Sequence, residues 1–316
     1  MFVTVDAPKG KVDTMRLKLS VPAEDDSRNV KFMLKNRLEL STRLIKKLKY
    51  SGKILLNSRA VHVDAIVHEG DLIEAIVEFE EQNPAIIPEP MDISILYEDE
   101  YLVAVDKPSN MVVHPVCGHF TGTVANGLAY HLLHKGIKTL IRPVSRLDRD
   151  TSGIILFALN PYVQENLVRQ MRGNLFLKEY VGIVHGTFSE SRGTINLPVE
   201  RLPGSIMLRH TADTGAVSVT HYEVIERFEN ASFLKFRLET GRTHQIRVHC
   251  QAAGHPLIGD TLYNLPCYEG KDESLISRQA LHSTRASFIH PYTKMLLELE
   301  APLPGDMEHA LEILRK

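Results

Sequence analysis

The spacing of apolar residues changes along the chain and predicts different elements in its two parts. Between residues 29 and 49, apolar residues such as Val30 and Leu34 recur at helical spacing with basic residues between them, which predicts amphipathic helices. Ser41 is placed to cap the second of these helices. The apolar run at residues 72–77 follows a glycine turn and predicts a strand.

From residue 92 onwards, short apolar runs between turns predict mainly strands. The predicted strands are residues 93–97, 102–105, 154–158, 176–185, 217–227, 232–240 and 296–300. The predicted helices are residues 123–134, residues 161–172 after the cap Asn160, and a helix capped by Thr243. Because helices and strands do not alternate regularly, we expect an α+β domain around a large, mixed and mostly antiparallel sheet.

A polar segment with three prolines lies between the two parts, at residues 81–91. Such composition is typical of a linker. We therefore expect a small domain at residues 1–82 and a larger one at residues 83–316.

Charge is distributed unevenly although the net charge is only −2. Residues 27–59 contain ten Lys or Arg and one acid, Glu39, whereas residues 60–100 contain twelve acids and no Lys or Arg. A basic patch of this kind can bind phosphates even on a weakly acidic protein. The alternative interpretation is a solvated helix face.

Cysteine usage and hydropathy exclude several classes of protein. Three widely separated cysteines without a CxxC pair disfavour a disulfide framework and a zinc site, and fit a reducing cytoplasm. His244 and His249 lack the spacing of a zinc helix, so we expect no metal. No apolar run is long enough to span a membrane, and the first residues do not resemble a signal peptide. We expect a monomer.

The loop at residues 142–153 is the first candidate for chemistry. It contains three arginines and two aspartates, Asp148 and Asp150, and leads directly into the apolar run at residues 154–158. A carboxylate on a loop held by a rigid strand is well placed to act on a ligand. From composition alone, a salt-bridged surface loop is the favoured interpretation of this segment.

The string RLDRDTSGIILFA at residues 146–158 closely resembles the R-L-D-x-x-T-S-G signature of the RluA/RluD-type pseudouridine synthases. This resemblance implies the pseudouridine synthase fold and a catalytic role for Asp148. It also implies conversion of uridine to pseudouridine in RNA, a reaction without net redox change that needs no cofactor. Many relatives have His before this signature, where the present chain has Ser145. Beside Asp148, Arg146 is a candidate to fill the gap left by a flipped nucleotide.

Three further segments resemble the same family, in the family's order. KEYVGIVHG at residues 178–186 implies that Tyr180 stacks on the target base, with Lys178 as a substrate-binding neighbour. GRTHQIRVH at residues 241–249 implies that Arg247 pairs with the catalytic carboxylate. The remaining implied contacts with substrate are Arg242 and His244 along the RNA path, and Leu281, from RQALH, as an apolar wall of the uracil pocket.

The N-terminal part resembles a small RNA-binding module first named for a small-subunit ribosomal protein. Two basic helices followed by KILLNSRAV at residues 53–61 carry this resemblance. It implies that the basic helix pair faces RNA phosphates, with Arg43, Lys46, Lys47 and Lys49 on that surface.

These observations predict an enzyme that isomerises specific uridines in structured RNA. Ribosomal RNA is the first expected substrate and transfer RNA the second. The alternatives are an RNA-binding or ribosome-assembly protein without catalysis, a nucleosidase or glycosidase that uses Asp150 as a second carboxylate, and a structural protein. The sequence leaves open whether Asp148 is a nucleophile or a base.

Overall fold

The computed structural model describes residues 4–6, 14–78, 86–116, 118–137, 139–270 and 275–316. The strands are β1 (Thr4–Asp6), β2 (Thr14–Ser20), β3 (Ile54–Leu56), β4 (Arg59–Ala60), β5 (Leu72–Glu78), β6 (Ser94–Glu98), β7 (Leu102–Lys107), β8 (Arg142–Pro143), β9 (Ser152–Ala158), β10 (Leu177–His185), β11 (Arg192–Asn196), β12 (Val199–Arg201), β13 (Arg209–Thr211), β14 (Val219–Arg227), β15 (Ala231–Leu238), β16 (Leu281–Ile289) and β17 (Leu296–Glu300). The helices are α1 (Val30–Asn36), α2 (Thr42–Tyr50), α3 (Val124–His134), α4 (Pro161–Arg172), α5 (Gln245–Ala252) and α6 (Gly305–Leu314). Among the described helices, none is both long and apolar enough to cross a membrane.

The N-terminal part folds as an antiparallel sheet packed against two helices. Its strand order is β1-β2-β5-β3-β4. In β2, Met15, Leu17 and Leu19 are buried while the residues between them are more exposed, which is the two-residue period of a half-buried strand. This strand was absent from the sequence prediction, whereas both helices and β5 are confirmed.

Helix α2 separates an apolar face from a basic one. The side chain of Ser41 accepts a hydrogen bond from the Leu44 amide, which confirms the predicted N-cap. Leu44, Ile45 and Leu48 are buried. The predicted RNA-facing side chains are exposed on the other face; they are Arg43, Lys46, Lys47 and Lys49.

The larger part is built on a ten-stranded sheet, as predicted. Its main order is β11-β14-β15-β10-β16-β9-β7-β6, with β17 beside β16 and β8 beside β9. Every neighbouring pair is antiparallel except β16 and β9, which run parallel over two residue pairs, His282–Ser152 and Ser283–Gly153. We call this short parallel pairing the seam. It joins a five-strand half, with β17 attached, to the half formed by β9, β7, β6 and β8.

Helices cover both faces of each half. Along β9, Ile154 and Leu156 pack in the core beside α4, whereas Ile155 and Phe157 pack beside α3. Strand β10 alternates in the same way between the cores beneath α5 and α6. Because both faces are covered, these strands are apolar almost throughout, unlike strands of a half-exposed sheet.

The predicted linker is only partly described, because residues 79–85, with the proposed boundary near residue 83, lie outside the described residues. Residues 86–91 pack on the larger domain. The Glu89 carboxylate accepts a hydrogen bond from the Gly122 amide at 2.7 Å, and the Asn126 side chain donates to the Ile87 carbonyl at 2.8 Å. This half of the segment is therefore a packed part of the larger domain.

Glu39, the one acid in the basic segment, connects the two parts. Its carboxylate accepts a hydrogen bond from the Asn166 side chain on α4 at 2.7 Å. Arg169 donates to the Glu39 carbonyl oxygen, and Lys294 lies 3.7 Å from the carboxylate. Apolar residues of both parts also belong to one continuous core. The segment between α1 and α2 is thus held against the larger domain.

We predict that Gly153→Ala destabilises the protein by about 2–4 kcal/mol. Gly153 has φ +104°, and an added Cβ would lie 2.2 Å from the Ser283 carbonyl oxygen across the seam. Urea unfolding measures the loss. The control Gly173→Ala has an ordinary φ and normal spacing, with the nearest atom at 3.5 Å, and should cost no more than about 1 kcal/mol. Equal stabilities of the two variants would contradict a close approach at the seam.

Candidate active site

A cleft opens beside the seam. It has a volume of about 800 Å³ and continues into a smaller recess beside α5. Side chains from the loop before β9, from β10, from the end of β15 and from the segment leading into α5 line both spaces. Leu281 at the start of β16 lines the recess. Every predicted catalytic or substrate-contacting residue therefore lies around one site.

A buried ion-pair chain organises the recess. Arg247 Nη1 donates to Asp148 Oδ2 at 3.1 Å, while Nε and Nη2 donate to the two oxygens of Asp260 at 2.7 Å each. Burial alone would lower the pKa of Arg247, but the Asp260 bonds and charge, together with Asp148, raise this pKa above its ordinary value. The guanidinium therefore stays charged and fixes the orientation of the Asp148 carboxylate.

Asp148 and Asp260 differ sharply in exposure. The Asp148 side chain retains 25% of its accessible surface, whereas that of Asp260 retains none. Asp148 is the only carboxylate among the described residues that line the recess. The Asp260 carboxylate therefore balances the charge of Arg247, while the Asp148 carboxylate faces the cavity.

Backbone hydrogen bonds hold the Asp148 loop on both sides. Lys107, fully buried at the end of β7, donates to the Arg149 carbonyl at 2.8 Å. Arg278 donates to the Asp150 carbonyl at 3.1 Å and forms a two-pronged ion pair with Asp306 at the start of α6. Lys107 ends β7 and Arg278 lies in the segment before β16, so parts of the chain far apart in sequence fix the loop.

Tyr180 and Leu281 form apolar walls of the recess. Both side chains are buried, and both pack in the core beneath α5. Burial, with the nearby charge of Asp148, raises the pKa of the Tyr180 hydroxyl to about 12. At neutral pH Tyr180 is therefore a neutral phenol, which can hold a base by its ring but is not a ready proton acceptor.

The start of α5 differs from the prediction. The N-cap is His244, not Thr243, and it adopts a left-handed conformation with φ +58°. The Gln245 side chain accepts from the Arg242 amide and the Thr240 hydroxyl, so it holds the turn that precedes the helix. The sharp turn places His244 Nε2 3.8 Å from Asp148 Oδ1. Burial lowers the pKa of His244, although the charge of Asp148 opposes this shift.

Three cationic side chains lie farther out along the cleft. Arg146 and Arg242 are exposed at its rim. Lys178 is half-buried, and its ammonium group donates to the Ser145 hydroxyl at 2.5 Å. Burial lowers the pKa of Lys178 to about 8. Ser145 is thus a direct partner of Lys178.

Comparisons with known proteins identify the family that this chain resembles. The family described as RNA pseudouridylate synthase matches residues 101–252. A Bacillus subtilis protein named "Uncharacterized RNA pseudouridine synthase YlyB" is 37% identical over 95% of this chain and 99% of its own length. Ribosomal large subunit pseudouridine synthase D of Neisseria meningitidis serogroup B is 36% identical over 84% of this chain and 72% of its own length.

The chain belongs to the RNA pseudouridine synthase family. Family membership favours an isomerase over the nucleosidase, the non-catalytic binder and the structural protein considered above. The structure of human RNA Pseudouridylate Synthase Domain Containing 1 supports the fold, with a TM-score of 0.55 at 23% identity over 74% of this chain and 97% of that one.

Sequence reasoning did not identify four residues around the site of this pseudouridine synthase. Asp260 lies C-terminal to the matched string GRTHQIRVH, and its pairing with Arg247 could be found only from the fold. Lys107 and Tyr263 had no local signal of function, and Arg278 was assigned no role although it begins RQALH, since each acts by a long-range contact. Within the described residues, no group of three His, Cys, Asp or Glu side chains is arranged to hold a metal ion.

We predict that the free energy of unfolding depends on pH through His282, which lies behind the Asp148 loop. His282 Nδ1 lies 2.9 Å from the Ser152 hydroxyl across the seam, and burial lowers its pKa from 6.5 to about 4. Below about pH 6.5, His282 binds a proton in the unfolded chain but stays neutral in the folded chain. The free energy of unfolding therefore falls until the pH approaches 4. Relative to His282→Gln, wild type should lose about 2 kcal/mol between about pH 7.5 and pH 5.

Urea unfolding of both proteins at each pH measures this difference. His309→Gln, which changes an exposed histidine on α6, is the control and should leave the pH dependence unchanged. A constant gap between wild type and His282→Gln would show that His282 does not remain neutral.

Proposed function

We propose that this enzyme converts specific uridines of large-subunit ribosomal RNA into pseudouridine, with Asp148 as the catalytic carboxylate. The observation that carries the proposal is the Asp148–Arg247–Asp260 chain at the floor of the recess. It presents one partly exposed carboxylate, with balanced charge, in a space walled by an aromatic ring and an apolar side chain.

The reaction requires three bond changes at one nucleotide. The bond between uracil N1 and ribose C1′ breaks, a new bond joins C5 to C1′, and the proton on C5 leaves. Asp148 initiates this sequence, either by attacking C1′ or by removing a proton from the sugar. Arg247 binds Oδ2, and Oδ1, which lies 3.8 Å from His244 Nε2, is the oxygen that acts on the substrate.

The detached uracil must stay in place while it turns. Tyr180 supplies a ring on which the base stacks, and Leu281 supplies an apolar wall, so water is kept from the reacting atoms. Arg146 occupies the position vacated in the RNA, and Arg242, His244 and Lys178 bind the flanking nucleotide atoms along the cleft. Stacking of the uracil on Tyr180 replaces the contacts with neighbouring bases that the uracil loses when it leaves its helix.

Ribosomal RNA is favoured by the relatives and by the N-terminal part. Proteins named ribosomal large subunit pseudouridine synthase D share 36–37% identity with this chain. We assign residues 1–82 to an RNA-binding domain and residues 83–316 to the catalytic domain. Arg43, Lys46, Lys47 and Lys49 bind RNA phosphates, and shape rather than base sequence selects the site.

We also propose that the enzyme acts as a monomer in the cytoplasm. Both described cysteines, Cys250 and Cys267, are free thiols, which suits a reducing compartment. Sedimentation of the purified chain with and without RNA tests the oligomeric state.

We predict that Asp148→Asn abolishes pseudouridine formation while the protein still binds RNA. Pseudouridine mapping on total RNA from cells that lack the gene, complemented with wild type or Asp148→Asn, measures both the reaction and its target. A site that returns only with wild type identifies the substrate, and its location in transfer RNA would overturn the ribosomal assignment. Asp213→Asn, an exposed turn residue far along the chain, is the matched control and should restore modification fully.

We predict that RNA binding depends steeply on salt through α2. Replacing Arg43, Lys46, Lys47 and Lys49 together with Ala should reduce the log–log salt slope by about 0.7 for each phosphate that the variant no longer neutralises. Binding of ribosomal RNA over a range of KCl concentrations measures the slope. Lys135→Ala with Lys235→Ala, two lysines paired with Glu98 and Glu223 outside this helix, should leave it nearly unchanged. An unaltered slope in the α2 variant would contradict the assignment of its basic face to RNA.

A further inference from the structure

Tyr263 links the active site to the hairpin formed by β12 and β13. Its side chain is almost fully buried, at 2% exposure. The Arg209 amide, at the start of β13, donates to the Tyr263 hydroxyl oxygen at 2.9 Å. The same hydroxyl lies 2.7 Å from His244 Nδ1. Arg247 also lies over the Tyr263 ring, 5.0 Å from its centroid.

This arrangement determines which nitrogen of His244 carries the proton. The Tyr263 oxygen already accepts from Arg209, and burial raises the pKa of Tyr263, so its hydroxyl keeps its own proton. Among the described residues, His244 Nδ1 is the acceptor within reach of that proton. A buried hydroxyl without an acceptor is unfavourable, so Tyr263 donates to Nδ1. Neutral His244 then carries its proton on Nε2.

The Nε2–H group and the catalytic carboxylate are placed so that one oxygen atom, lying beside the line between them, can contact both. Nε2 and Asp148 Oδ1 are 3.8 Å apart, too far for a direct hydrogen bond. A hydroxyl oxygen about 2.8 Å from each atom would accept from Nε2–H and donate to Oδ1. On a ribonucleotide, the 2′-hydroxyl is bonded to C2′, next to the anomeric carbon at which Asp148 acts.

We propose that His244 donates its Nε2–H to the 2′-hydroxyl of the target ribose, and that Tyr263 is the positioning residue that fixes this tautomer. The interaction rests on the proposed function and specifies how the site distinguishes RNA from DNA, since the 2′-hydroxyl is the group that differs. Because Arg209 belongs to β13, the donor at His244 also depends on the position of that hairpin.

The tautomer is tested on the free, full-length enzyme without RNA. Long-range ¹H–¹⁵N spectra of protein labelled at its 15 histidines report which ring nitrogen is protonated, and the signal missing from His244→Asn assigns His244. Asn suits this position because it tolerates the left-handed backbone. We expect Nε2–H in wild type and a shift toward the Nδ1–H form in Tyr263→Phe. Tyr130→Phe, a change on α3, should have no effect. An Nδ1–H or doubly protonated His244 in wild type would overturn the proposal.

The contact is tested with a synthetic RNA carrying the uridine mapped above, with ribose or 2′-deoxyribose at that position only. Single-turnover release of tritium from C5, and the dissociation constant, are measured for wild type, His244→Asn and Tyr263→Phe. We expect the 2′-deoxy change to cost wild type about tenfold more than it costs His244→Asn, in rate or in affinity. Tyr263→Phe should lie between them. For each protein, the ratio of ribose to 2′-deoxyribose RNA is calculated for the rate and for the dissociation constant. If wild type and His244→Asn give equal ratios in both measurements, the contact is disproved.

The two experiments separate this proposal from the broader one. If wild type releases no tritium from any RNA, the assigned reaction fails, although the spectra would still report the tautomer. If wild type reacts and its ratios match those of His244→Asn, only the role of His244 fails.

Discussion

Arg247 imposes the constraint on which the site depends, because a buried guanidinium must be neutralised where it lies. Asp260 satisfies two of its nitrogens and is itself fully enclosed, which leaves one nitrogen to hold Asp148. Removing one partner of such a buried pair typically costs about 3–5 kcal/mol. The same ion pairs hold the Asp148 carboxylate in one orientation against the buried Arg247 and Asp260.

Two long-range anchors keep the Asp148 loop rigid. Lys107 reaches it from one half of the sheet, and Arg278, braced by Asp306, reaches it from the other. Both anchor main-chain carbonyls, so the loop's path is fixed independently of its side chains. The main chain at Asp148 therefore stays in place whatever conformation an exposed side chain of the loop, such as Arg146, adopts.

The sequence predicted those parts of the structure that have local causes. The cap at Ser41, the helix from Pro161 to Arg172 and the buried strand at residues 154–158 follow from periodicity and capping. Strand β16 was not predicted, because His282, Ser283 and Ser287 interrupt its apolar pattern and find partners only in the folded sheet. The roles of Asp148 and Arg247 were proposed through family resemblance, whereas Asp260 and Tyr263 act through contacts that no spacing in the chain reveals.

The seam has a consequence for how substrate and fold influence each other. Only two residue pairs join β16 to β9, yet the cleft above them is lined from both halves of the sheet. An RNA seated there bridges the halves and acts as a non-covalent cross-link across a strand pairing of only two residue pairs. Ligand that binds only the folded state raises the free energy of unfolding by mass action. Occupied enzyme should accordingly resist heat and proteolysis better than free enzyme, with the gain concentrated where the two halves meet.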